Sequence, residues 1–125
     1  MRLILDAGAL IGIDRQDKRV AALIELGRRA GAELVSSAPV VGQAWRNGAR
    51  QANLARALAM IDFKPVMVED AKRAGELLAD SGSTDIVDAL IAMLAMPHDQ
   101  ILTSDAGDMQ NLLTTRSVSA TIVRV

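Results

Sequence analysis

At 125 residues and a net charge of −1, the chain is sized for one domain with one ordinary core, and its overall charge does not advertise nucleic-acid binding. Half of the residues are hydrophobic but only 2% are aromatic, so the core must be aliphatic, which suits helices packed on a sheet better than a β-sandwich. With no cysteine and a single histidine, His98, the chain has no disulfide, no thiolate metal site and no histidine-built zinc site.

The first segment, RLIL (2–5), reads as a buried strand closed by Asp6. AGALIGI (7–13) predicts a short helix, ended by the polar break DRQDK. RVAALIELGRRAG (19–31) carries apolar residues at helical spacing, with Gly31 as its C-cap. ELVSS (33–37) is a second strand. APVVGQAWRNG (38–48) predicts a helix starting near Pro39, and ARQANLARALAMI (49–61) another, the two forming a helical hairpin. KPVMV (64–68) reads as a strand and EDAKRAGELLADSG (69–82) as a helix with early acids and a terminal glycine. STDIVDALIAMLAM (83–96) predicts a helix capped by Ser83 or Thr84 and stopped by Pro97, with His98 exposed in the turn that follows. QILTS (100–104) is a strand, a helix runs from Asp105, and TIVRV (121–125) is a last strand. Strands alternating with helices, in short continuous apolar runs, predict an α/β layer fold over residues 1–125 with a mainly parallel sheet. The longest uninterrupted apolar run, 89–96, is too short to span a bilayer, and a cytoplasmic protein is expected.

The acids fall at matching places. Asp6 and Asp105 each end a predicted strand, and open α/β sheets bind ligands beyond the carboxyl ends of their strands. Asp85 and Asp88 lie three apart on one face of a predicted helix, and Asp108 follows Asp105 by the same interval. Each has a plain alternative: Asp6 and Asp105 as helix N-caps, Asp85 as a first-turn helix acid. Asp88 is harder to set aside, because Val87, Ala89, Leu90 and Ile91 surround it with apolar surface. Several carboxylates in one half-buried cleft repel one another and raise their own pKa values, and only cations relieve that. No matching Lys or Arg lies beside them in sequence, so a metal is the economical neutraliser. All-oxygen donors suit Mg²⁺ or Mn²⁺, ions that serve phosphoryl transfer or phosphodiester hydrolysis.

The stretches LDAGAL, DIVDALIAMLA and ILTSDAGDM, in this order and across essentially the whole chain, resemble the PIN-domain ribonucleases, and among them the VapC-type toxins of bacterial toxin–antitoxin pairs. The resemblance implies a PIN-like three-layer α/β/α sandwich and an acidic rim that binds Mg²⁺ or Mn²⁺ and cleaves RNA. It also implies a cognate protein antitoxin and a homodimer. Position by position, Asp6, Asp88 and Asp105 match the family's metal-binding, catalytic aspartates, with Asp85 a helper and Asp108 an additional acid of some members. The family's usual glutamate on the helix after the second strand is replaced by Gln43. An amide oxygen can ligate a metal but carries no charge and is a poor general base, so a catalytically weakened or inactive RNA- or protein-binding module is the alternative expectation.

Arg46 and Arg50 follow Gln43 and are candidates for RNA phosphate contact, in a chain where 11 of the 14 basic residues are Arg. Trp45 beside them either stacks on a base or packs in the core or at an interface. Thr103 and Ser104 either brace the acids or merely finish their strand. A phosphoacceptor receiver domain would want a second acid beside Asp6 and a lysine after the last strand. A haloacid-dehalogenase-type phosphatase would want an aspartate at Gly8.

Overall fold

The computed structural model describes all of residues 1–125. Five strands form one all-parallel sheet: β1 (Arg2–Leu5), β2 (Glu33–Ser37), β3 (Asp62–Lys64), β4 (Gln100–Thr103) and β5 (Thr121–Arg124), in the spatial order β3-β2-β1-β4-β5. β1 is central and pairs Ile4 with Val35 on one side and with Ile101 on the other. Leu3, Ile4 and Leu5 are all buried, as a strand covered on both faces must be.

Seven α-helices cover the sheet in two groups, giving the three-layer α/β/α sandwich. In the first group, α1 (Ala7–Asp14) packs against α2 (Lys18–Arg29), α3 (Ala38–Ala44) and α4 (Ala52–Leu58). In the second, α5 (Val68–Ser81), α6 (Ile86–Leu94) and α7 (Ala106–Arg116) pack on one another. The core draws Leu10, Leu54, Ile91, Met109 and Leu112 from the helices onto the strands. No helix is long and apolar enough to cross a membrane.

Several boundaries differ from the sequence expectation. The third strand is Asp62–Lys64, not 64–68: it is the segment that pairs with Val35 to Ser37, and Pro65 behind it has no N–H to extend the ladder. Val68 starts α5 instead, with the Asp70 carboxylate accepting from the Met67 N–H, and both Met67 and Val68 are exposed. The predicted 38–48 helix stops at Ala44. The buried Gln51 side chain donates to the Ala44 carbonyl and accepts from the Arg46 and Asn47 N–H groups, satisfying the backbone that a longer helix would have used. A single 3-10 turn, Gly48–Arg50, then leads to α4, so the helix expected over 49–61 is confined to Ala52–Leu58. Finally, α6 is capped by Asp85, not by Ser83 or Thr84.

The strand order reverses between β1 and β4. β1 is followed in sequence by neighbours on one side, while β4 and β5 lie on the other, so the carboxyl ends of β1 and β4 flank a topological switch point. Asp6 and Asp105 stand at these two ends.

Candidate metal centre

The carboxylates are delivered by helix starts. Asp6, Asp85 and Asp105 are the N-caps of α1, α6 and α7, accepting from the N–H groups of Ala9, of Val87 and Asp88, and of Asp108 respectively. The plain capping alternative therefore holds for Asp6 and Asp105, while Asp85, expected as a first-turn acid, is itself the cap. Capping does not compete with a site, because a cap occupies one carboxylate oxygen and leaves the other available in Asp85 and Asp105.

Asp88, Asp105 and Asp108 offer carboxylate oxygens that lie within 4.8 Å of one another, a group that could hold a metal ion. Asp88 comes from the first turn of α6 and Asp108 from the first turn of α7, where the helix dipoles favour negative charge. The Ser83 hydroxyl donates to Asp108 and ties the two helix starts together. Asp88 is pushed up to about 7, first by burial, then by the Asp85 charge, by a hydrogen bond with Asp108, and by the charges of Asp108 and Asp6. One carboxyl thus feels three of the other expected site residues directly or through space. At neutral pH the Asp88 carboxyl is therefore partly protonated.

Asp6 has a different environment. It is 3% exposed, and burial raises its pKa, while the Thr103 hydroxyl and the Ala9 and Ser104 N–H groups pull it back. Its second oxygen accepts from the Ser104 N–H at 3.2 Å, joining the end of β1 to the end of β4. Thr103, fully buried, also accepts from the Asp105 N–H at 3.0 Å. Thr103 and Ser104 therefore brace Asp6 and Asp105, the first of the two roles open to them in the sequence. The close approach depends on Gly8: a Cβ there would stand 2.5 Å from the Ser104 Cβ.

Gln43 is half-buried on α3 and lines a separate cleft of about 420 Å³ together with Arg15, Arg46 and Arg50. Trp45 lies outside the core, 38% exposed, with its indole ring against Gly48. Sequence reasoning missed Ser83 as a partner of Asp108 and Arg15 as a neighbour of Arg46 and Arg50. No local pattern marks either one, because each meets its partners only through the packing of separate elements. Comparison with family models, curated proteins and solved structures finds no match for this chain.

Proposed function

We propose that the chain is a metal-dependent endoribonuclease that holds Mg²⁺ or Mn²⁺ with Asp88, Asp105 and Asp108. The observation that carries this reading is the convergence of three carboxylates from two helices, at a switch point, without a basic side chain to neutralise them. Oxygens on one octahedral Mg²⁺ stand at most about 4.2 Å apart. The spacing of at most 4.8 Å therefore closes onto an ion with small side-chain rotations. A bound ion supplies a water of lowered pKa and stabilises the departing oxygen of a phosphodiester. The chain's own part is to hold and to position. Asp88 gives up its proton on loading, Asp6 and Thr103 fix the β4 end that carries Asp105, and Asp85 adds negative charge without joining the closest group.

The likeness of the three motifs to VapC-type toxins supports the finer reading of a cytoplasmic toxin, homodimeric and neutralised by a protein antitoxin. The test is cleavage of single-stranded RNA by the purified protein in Mn²⁺. Cleavage is expected to stop with EDTA and to be lost in Asp88→Asn and Asp105→Asn. If both variants cut at the wild-type rate, the reading fails.

One observation favours a second reading, an RNA- or protein-binding module that does not cut. Gln43, where the resemblance places a glutamate, sits among arginines and brings no charge to the acidic rim. A large gain of cleavage in Gln43→Glu would favour this decayed-site reading, whereas no gain supports native activity with glutamine.

A further inference from the structure

The cleft at the far end of α1 has a chemistry opposite to that of the acidic rim. Arg15, just past α1, Arg46 beyond α3 and Arg50 in the 3-10 turn all line it, with Gln43 and Asn47 between them and Asp14 as the only acid. None of the three guanidinium groups forms an ion pair with a carboxylate, although three arginine and two lysine pairs occur elsewhere in the molecule. Arg46 is held by its own backbone, donating to the Gly42 and Trp45 carbonyls, so its charge is fixed in place without being neutralised. Arg15 and Arg50 are exposed and make no side-chain hydrogen bond. In a chain of net charge −1, three unpaired arginines around one concavity form a local anion site. Its volume of about 420 Å³ is that of a small-ligand pocket, and guanidinium forks match phosphate oxygens bidentately.

We infer that the Arg15–Arg46–Arg50 cleft binds the phosphodiester backbone of a single-stranded RNA and anchors the strand one helix length from the acids. The choice of RNA as the strand rests on the proposed function; the anchoring does not require cleavage. The eight residues of α1 separate the cleft from Asp6 by about 12 Å, a distance that a strand of a few nucleotides bridges. The arrangement solves an electrostatic problem. Five aspartates at the rim repel a polyanion before any metal is loaded, so the strand needs a separate attractive foothold.

The test measures binding of a fluorescein-labelled oligouridine to the wild-type protein in EDTA, where no metal-dependent cleavage occurs, by anisotropy over a series of salt concentrations. Neutralising three phosphates predicts a slope of log K against log salt of about −2, reduced by about 0.7 for each arginine removed. Arg15→Gln and Arg50→Gln are each expected to weaken binding about tenfold, since both side chains are free of structural contacts. Arg73→Gln, on α5, removes the same charge elsewhere and is expected to bind as wild type. No measurable binding, wild-type binding by both cleft variants, or equal weakening by Arg73→Gln overturns the inference. Cleavage in Mn²⁺ is scored separately. A protein that anchors RNA through the cleft without cutting it overturns only the nuclease reading, and one that cuts with unaltered binding in the cleft variants overturns only this inference.

Discussion

Asp88 is the residue in which structure and chemistry meet. Its pKa of about 7, against the ordinary 3.8, means that the folded chain keeps this proton as pH rises while the unfolded chain has already lost it. The metal-free protein should therefore lose stability from about pH 4 to pH 7 and level off above that; the buried Asp6, also shifted upward, adds to the same trend. A thermal-melting series in EDTA checks the sign, and a melting temperature that climbs steadily from pH 5 to pH 8 would refute the crowding at Asp88. Asp88→Asn removes the charge and should melt above wild type at pH 8, while losing any stabilisation by Mn²⁺. For the wild type, Mn²⁺ must displace the proton, so its stabilising effect should grow from pH 6 to pH 8. Spacing alone made Asp6, Asp88 and Asp105 visible in the sequence, because two follow strands and one interrupts an apolar helix. The division of labour among them was hidden, since whether an aspartate faces backbone N–H groups or other acids depends on which helix starts meet at the switch point.

At the scale of elements, the β1–α1 junction is the least forgiving part of the fold. Gly8 lets the first turn of α1 lie against Ser104, and the Asp6–Ser104 hydrogen bond depends on that approach. Gly8→Ala places a methyl group 2.5 Å from a Cβ that cannot swing away. A cost of about 1–3 kcal/mol is expected from such overpacking, read as a lower midpoint in urea. Gly42→Ala, inside α3 where a Cβ meets nothing within 4 Å, is the control and should not lower the midpoint. Most elements were legible because their apolar runs and their caps agree. Two exceptions share a cause: a partner outside the segment overrode a local pattern. Val66, Met67 and Val68 look like strand, yet the ladder with β2 is taken by Asp62 to Lys64. Nothing in APVVGQAWRNG announces a stop after Ala44, because the group that ends the helix belongs to Gln51.

Across the whole molecule, the two ends of the sheet are held by opposite means. At the amino ends of β1 and β4, Arg2 pairs with Asp99 at 2.7 Å and donates to the Leu94 carbonyl. Although burial opposes ionisation of Asp99, Arg2 and the Met96 N–H hold its carboxyl below the usual range. At the carboxyl ends, carboxylates face one another without a cation. Arg2→Ala strands a buried charge and should cost about 3 kcal/mol of stability, yet leave RNA binding in EDTA unchanged below the shifted melting temperature, because neither Arg2 nor Asp99 lines the arginine cleft. Melting and anisotropy on one preparation decide both halves of that prediction. The overall α/β plan was legible from strand–helix alternation, whereas the charge segregation was not, since a sum of −1 conceals an acidic rim and an arginine-lined cleft one helix apart. The capping duty of Asp6, Asp85 and Asp105 also bears on how such a protein ages. If the proposed catalysis were lost in a lineage, these three would still be kept for the sake of folding, whereas Asp88 caps nothing and its raised pKa burdens the native state. Its replacement by a neutral residue would then be the earliest mark of a retired enzyme.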